Sequence, residues 1–169
     1  MQGLSADAIG QVLGDRITLA SGGPVAVATM KSRGGYAALV SGGFTAFTGP
    51  VARALGFDEH RSNVLEIEDG HLTGRVAGPI LGREAKIDAL KELSDTLGIT
   101  TSQAMAVGDG ANDLGMLDLA GAGVALHAKP SVAAQCDIRV NFGDLTALLY
   151  LQGITKSEFS DPGPATLSA

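Results

Sequence analysis

Short apolar runs alternate with amphipathic segments along most of the chain. Each run holds four or five mostly apolar residues, which is typical of strands buried on both faces of a parallel sheet. The segments between the runs space their apolar residues as helices do. This alternation predicts an α/β fold, a Rossmann-like parallel sheet with flanking helices. The predicted strands are residues 36–40, 104–107, 123–126 and 137–140.

Helices are predicted between and around these strands. The clearest spans residues 83–97, where the apolar positions fall on one stripe, Ile87, Leu90, Leu93 and Leu97. Pro50 leaves the boundary of another helix open, because proline removes a helical hydrogen bond. The predicted helices are 6–13, 24–33, 44–55, 83–97, 114–119, 130–135 and 144–151.

Two further segments complete the predicted organisation. A β-hairpin is predicted over residues 64–75, because the turn dipeptide Asp69-Gly70 separates two strand-like stretches. Residues 154–169 contain two prolines and little that could pack, so we expect a disordered tail. Since no linker or internal repeat divides the rest, residues 1–153 are predicted to form one domain.

Composition narrows the functional classes. The 169 residues carry a formal charge of −6, which argues against nucleic-acid binding, because that needs a basic face. No apolar run reaches the roughly 18 residues of a membrane span, so no membrane partner is expected. Cys136 is the only cysteine, which excludes an intrachain disulfide and favours a reducing, cytoplasmic setting.

The stretch 104–119, AMAVGDGANDLGMLDL, carries the strongest chemical signal. It predicts a buried strand, a tight glycine turn and a helix, with Asp109 and Asp113 on the turn. Ligands of parallel sheets bind beyond the carboxyl ends of the strands, and carboxylate oxygens suit a divalent cation such as Mg²⁺. The alternative is a turn in which Asp113 only caps the next helix.

Two other positions could complete a phosphate site. Ser41-Gly42-Gly43 lies between a predicted strand and a predicted helix, where a hydroxyl and backbone N–H groups can hold an anion. The same residues are also typical of a plain turn. Lys86 adds a cation, although a lysine at its place on a helix is commonly just solvated. Together these groups are the parts that phosphoryl transfer uses.

At these residues the sequence resembles the phosphoserine phosphatases, a family of the haloacid dehalogenase superfamily. The combination of SGGF, a lysine and GDGAND in this order is specific to the family. The matching stretches keep the family's order and similar spacing, and they cover most of residues 1–153. They are 38–48, 65–86, 106–117, 128–137 and 143–153.

The resemblance implies an activity and a role for each candidate residue. The family hydrolyses O-phosphoserine to serine and phosphate through an aspartyl-phosphate, with Mg²⁺, in serine biosynthesis. The implied roles are phosphoryl binding for Ser41 and the Gly42 backbone, substrate contact for Asn112, neutralisation of the phosphate and the catalytic aspartate for Lys86, Mg²⁺ coordination for Asp109, and support of the metal site for Asp113.

The sequence departs from the family in one respect. The family's nucleophile and general acid lie in an N-terminal Asp-x-Asp strand, and the chain contains no Asp-x-Asp. Residues 1–13 resemble the segment that follows the family's helical cap, so the resemblance implies an N-terminally truncated core without most of the cap. The absent strand would lie between the strands ending at Ser41 and Asp109, which leaves two edges unpaired. We therefore expect no turnover from this chain alone, and dimerisation or strand exchange through the gap.

Several alternatives stay open. One is a non-catalytic module that keeps Mg²⁺ and phosphate affinity, or a half-enzyme that a separate polypeptide completes. Another is a related phosphatase acting on a different small phosphomonoester, since most of the substrate-selecting cap is absent. A P-type ATPase fragment shares the GDGxND pattern but would bring membrane helices, and no stretch of the sequence fits one.

Overall fold

The computed structural model describes residues 2–167, which form two compact units. The first unit comprises the described residues up to Ile80 and from Asp144 onward, and the second comprises Leu81–Gly143. None of the described helices is both long and apolar enough to cross a membrane.

The helices and strands follow one another along the chain in this order: α1 (Asp7–Asp15), α2 (Gly23–Ser32), β1 (Ala38–Phe44), α3 (Thr45–Leu55), β2 (Glu59–Glu68), β3 (His71–Ala77), α4 (Arg83–Leu97), β4 (Met105–Gly108), α5 (Leu114–Leu119), β5 (Ala122–Leu126), α6 (Pro130–Ala133), β6 (Ile138–Val140) and α7 (Ala147–Leu151). Short 3₁₀ turns lie at Thr101–Gln103 and Lys156–Glu158.

The first unit is built on a three-stranded sheet in the order β1-β2-β3. β1 and β2 are parallel and are connected by α3, whereas β2 and β3 are antiparallel. The predicted hairpin is confirmed: Asp69 and Gly70 have φ values of 49° and 74°, the left-handed values that a tight two-residue turn requires. β2 begins at Glu59, earlier than predicted, because its first half pairs with β1.

The second unit is built on a three-stranded parallel sheet in the order β4-β5-β6. Its strands and helices follow the predicted order, which confirms an α/β fold with a parallel sheet and flanking helices. The core beneath α5 consists of small and medium side chains, which let the helix lie close to the sheet. That core contains Ala106, Leu117, Ala125 and Cys136.

In the first unit, one predicted boundary is wrong and one that the sequence left open is resolved. β1 extends through Phe44, so Ser41-Gly42-Gly43 lies in the last part of the strand rather than after it. α3 continues through Pro50, without the interruption that proline favours. Because Thr48, Gly49 and Pro50 are all buried, the packing of this face outweighs the lost helical hydrogen bond.

α4 has the predicted bounds, but its buried face is not the predicted apolar stripe. Leu97 is 41% exposed, and the other three leucine and isoleucine positions of the stripe are only half-buried. Ala89 and Ser94 are the buried residues of the helix. The most deeply buried side chains of the helix are therefore small ones, although Ile87 of the stripe packs against α5, where a Cβ at Gly115 would lie 2.5 Å from its Cδ1.

The predicted disordered tail is wrong for residues 154–160. Ile154 is buried, the rings of Tyr150 and Phe159 lie 5.3 Å apart, and the backbone N–H of Ser160 donates to Oγ1 of the buried Thr29 at 2.9 Å. Residues of this segment therefore pack on α2 and α7, although the composition of the tail predicts no packing. Residues 161–167 form no helix or strand, and the last two residues of the predicted tail lie outside the described residues.

Each sheet contains a strand with a single neighbour at the position where the sequence predicts an unpaired edge. Among residues 2–167, β1 pairs only with β2, and β4 pairs only with β5. The two sheets share no strand. The two compact units thus contain separate sheets, and one domain over residues 1–153 stays a prediction.

Candidate functional site

The turn between β4 and α5 carries a buried ion pair. The Lys86 ammonium on α4 donates a hydrogen bond to Oδ1 of Asp113; the two side chains are 12% and 4% exposed. Oδ2 of Asp113 accepts the backbone N–H groups of Asp109 and Gly110 at 3.1 and 3.0 Å. Both carboxylate oxygens are therefore engaged, and Asp113 ties the turn to α4.

Opposing effects set the pKa of the Asp113 carboxyl. Burial raises the pKa, whereas the hydrogen bond from Lys86 and those from the N–H groups of Gly110 and Asp109 lower it, and the net pKa lies below the ordinary value. Since these donors stabilise the charged form, Asp113 is a carboxylate at neutral pH. It therefore holds the Lys86 ammonium in one place.

Gly108, the last residue of β4, permits the close approach of Asp113. A Cβ at position 108 would lie 2.5 Å from Cβ of Asp113 and 2.6 Å from its Cγ. Atoms in a packed interior do not come this close, so a side chain here would push the carboxylate away from the N–H groups of the turn. The first glycine of GDGAND is thus required by sterics.

Asp109 and Asn112 are exposed on the same turn. Within residues 2–167, no hydrogen bond or ion pair engages the Asp109 carboxylate. The backbone carbonyl of Asp109 accepts the N–H of Lys129 at 3.4 Å. The Asp109 carboxylate is therefore available to a ligand, whereas Asp113 is already occupied by three donors.

The available oxygens suit an open magnesium site. Mg²⁺ is usually bound through one or two carboxylates, with waters and substrate phosphate oxygens completing its shell, so Asp109 is a suitable ligand. Asp113 is better placed as an outer support, because Lys86 and the turn hold it. In the described part of the chain, no three or more His, Cys, Asp or Glu side chains form a group that could hold a metal.

The end of β1 carries a second set of polar groups. Oγ of Ser41 accepts the backbone N–H of Gly43 at 3.0 Å, and the carbonyl of Gly42 accepts Nδ2 of Asn63 at 2.9 Å. A hydroxyl that accepts one hydrogen bond keeps its own proton to donate, and no other hydrogen bond of Ser41 occurs among the described residues. Ser41 can therefore donate to an anion at this strand end.

The structure brings some of the predicted site residues into contact with one another. Lys86 contacts Asp113, and Asp109 contacts Asp113 through its backbone N–H. Asn112 is exposed on the same turn. Ser41 and Gly42 belong to the first unit.

Sequence reasoning missed Asn63 and the steric role of Gly108. The glycine is part of a motif already singled out, so its spacing from Asp113 was an available signal. No signal in the sequence pointed to Asn63. It lies 21 residues after Gly42, in a strand whose register with β1 is irregular.

Comparison with known proteins gives consistent matches. Residues 1–118 match the haloacid dehalogenase-like hydrolase family. A phosphoserine phosphatase of Streptomyces coelicolor is 42% identical over 158 residues, which cover 94% of this chain and 38% of that protein. A phosphoserine phosphatase of Haemophilus influenzae is 43% identical over 145 residues, covering 86% of this chain and 46% of that protein. The chain thus spans less than half the length of these curated relatives.

A solved structure shows the same likeness. It is described as a phospho-aspartyl intermediate analogue of phosphoserine phosphatase, and it matches with a TM-score of 0.82 and 34% identity. The match covers 91% of this chain and 72% of that structure.

Proposed function

Because the chain belongs to the haloacid dehalogenase-like hydrolases, and among them to the phosphoserine phosphatase family, we propose that it supplies the magnesium- and phosphate-binding half of a phosphoserine phosphatase. The complete site would hydrolyse O-phosphoserine to serine and phosphate. One observation carries the proposal: Asp113 fixes the Lys86 ammonium and, on the same turn, Asp109 keeps its carboxylate available.

Lys86 has the chemistry to neutralise a phosphate. Its ammonium is nearly buried and oriented by Asp113, so little side-chain freedom is lost when an anion binds beside it. A preorganised cation of this kind stabilises the negative charge that phosphoryl transfer spreads over the phosphate oxygens. Asp113 acts through Lys86 and through the N–H groups of the turn, so its role is to position them.

Asp109 is the residue that we assign to Mg²⁺. When bound, the ion would offset the charge of the phosphate oxygens and let carboxylates and phosphate share one site. Asn112, exposed on the same turn, is the proposed substrate contact. Ser41 and the Gly42 backbone are the proposed donors to the phosphoryl group.

The reaction needs a nucleophile that these 169 residues do not contain. The family resemblance implies that an aspartate of an Asp-x-Asp strand attacks phosphorus, serine leaves, and water then hydrolyses the aspartyl-phosphate. Since the chain has no Asp-x-Asp, we expect the purified polypeptide by itself not to release phosphate from phosphoserine. Another small phosphomonoester is the alternative substrate.

Magnesium binding tests the assignment of Asp109. In a calorimetric titration with MgCl₂ we expect saturable binding to the wild-type chain. Asp109→Asn should weaken it at least about tenfold, because the variant removes the available carboxylate. Asp118→Asn is the matched control, since Asp118 is an exposed acid on the adjoining α5. Equal affinities for all three proteins would contradict the assignment.

A second candidate is a half-enzyme that a separate polypeptide completes by supplying the Asp-x-Asp strand. In its favour, β1 and β4 each lack a second neighbour among the described residues, although the edges of parallel sheets are normally covered. Adding a synthetic Asp-x-Asp-x-Thr strand peptide should then produce phosphoserine hydrolysis. No hydrolysis at saturating peptide would leave a non-catalytic Mg²⁺- and phosphate-binding module.

We further propose that this function belongs to serine biosynthesis in the cytoplasm. The family's hydrolysis of O-phosphoserine produces serine, which supports the assignment to serine biosynthesis. Cys136 supports the compartment, because it is a free, buried thiol of the kind that persists in a reducing environment.

A further inference from the structure

We propose that Asn63 is a positioning residue for the phosphate-binding end of β1; this inference rests on the proposed function. Asn63 lies in β2, is 5% exposed, and donates from Nδ2 to the carbonyl of Gly42 at 2.9 Å. Its amide thereby reaches the backbone of the segment that we assign to phosphoryl binding.

The backbone ladder does not hold this end of β1 by itself. In the parallel pairing of β1 with β2, Val40 lies opposite Arg61 and Phe44 lies opposite Asn63, so four steps along β1 match two steps along β2. The ladder is therefore irregular over Ser41-Gly42-Gly43, where β1 carries the extra residues. The side chain of Asn63 supplies a hydrogen bond where the ladder is interrupted.

Two hydrogen bonds fix the peptide group between Gly42 and Gly43. Its carbonyl accepts from Asn63, and its N–H donates to Oγ of Ser41. Since the peptide group is planar, holding both ends sets its orientation and, through the N–H, the position of the Ser41 oxygen. The Ser41 proton is then left to donate to a bound anion.

Asn63 uses part of its buried amide to hold this segment. A buried amide is unfavourable unless its polar atoms are hydrogen-bonded, so an apolar side chain would suit a purely structural position at this depth. The partner of Nδ2 is the carbonyl of Gly42. Asn63 therefore acts on phosphate through Gly42 and Ser41, without touching it.

The test compares Asn63→Ala with Ser62→Ala in the full chain. Ser62 is the neighbouring residue of β2, is 6% exposed, and bonds Thr48 at 2.6 Å rather than the β1 segment. Two quantities are measured by NMR: the amide exchange rate of Gly43 and the affinity for inorganic phosphate. If Asn63→Ala does not fold, Asn63→Ser replaces it, since its hydroxyl is too short to reach Gly42.

We expect Asn63→Ala to speed Gly43 exchange and to weaken phosphate binding about tenfold each, the effect of losing one well-placed hydrogen bond. Ser62→Ala should change neither, although it also removes a buried polar contact. Gly43 exchange that is the same in both variants would overturn the inference. If the wild-type chain binds no phosphate, the proposed function fails, and the Gly43 exchange rates still decide whether Asn63 positions the segment.

Discussion

The most informative single substitution is Lys86→Met, which removes the ammonium but keeps the length and apolar stem of the side chain. In the wild type, this ammonium bonds Oδ1 of Asp113, and both side chains are largely buried. The variant leaves a buried carboxylate with one oxygen unpartnered. We therefore expect a large loss of stability from a substitution that creates almost no cavity.

The structure sets the size of this loss. Breaking a buried ion pair by removing one partner destabilises a protein by about 3–5 kcal/mol. Two features favour the lower end: Oδ2 keeps the N–H groups of Asp109 and Gly110, and the slight exposure of Lys86 lets water approach. We expect the free energy of unfolding to fall by about 3 kcal/mol at pH 7.

The loss should depend on pH in a defined direction. In the wild type the pKa of Asp113 is lowered, so its carboxylate stabilises the fold above the ordinary pKa of about 3.9, and this contribution disappears as the pH falls through the lowered value. Lys86→Met removes the strongest interaction that lowers the pKa, so the pKa of Asp113 should be higher in the variant than in the wild type. Protonation of Asp113 then relieves the unpaired charge, and the difference from the wild type should shrink in acid.

Urea unfolding followed by far-ultraviolet circular dichroism measures both effects, since the chain has no tryptophan. Lys91→Met is the matched control, because Lys91 is an exposed lysine on the same helix, and its substitution should change stability by less than about 0.5 kcal/mol. If Lys86→Met were no more destabilising than Lys91→Met, or equally destabilising at pH 7 and pH 3, the buried pair would not organise the turn.

Four further predictions concern other parts of the chain. Gly108→Ala should destabilise the fold by about 1–3 kcal/mol in the same urea assay, because its methyl group would overlap Asp113. Thr29→Val should cost about 1 kcal/mol and speed hydrogen exchange over residues 155–160, since it removes the acceptor of the Ser160 N–H. Light scattering should find dimers or larger assemblies through the free edges of β1 and β4, and a cooperatively unfolding monomer would count against this. A phosphate-release assay with phosphoserine should show no turnover, whereas release that Asp109→Asn abolishes would refute the expectation.

Local signals explain why the β4–α5 region was predicted well. The apolar run, the glycine turn and the two acids all lie within 104–119, and the structure forms the strand, turn and helix at these positions. The contact between Lys86 and Asp113 spans 27 residues and was not predicted, because the family resemblance assigned the two residues separate roles in the site. Periodicity alone does not place a lysine against a distant carboxylate.

The first unit was predicted less well, because its structure depends on contacts between distant residues. Ser41-Gly42-Gly43 was predicted to follow a strand, since glycines are typical of turns, but pairing with β2 extends the strand through Phe44. Pro50 remains helical because its face of α3 is buried. Residues 154–160 are ordered by partners such as Thr29, more than a hundred residues away in the sequence.

Binding of inorganic phosphate with and without Mg²⁺, followed by phosphorus NMR, tests most directly whether this chain is the magnesium- and phosphate-binding half of a phosphoserine phosphatase. We predict that Mg²⁺ strengthens phosphate binding to the wild-type chain and to Asp118→Asn, and that Asp109→Asn removes this effect. Phosphate affinity that is independent of Mg²⁺ in all three proteins, or an equal effect of Mg²⁺ in Asp109→Asn, would contradict the account.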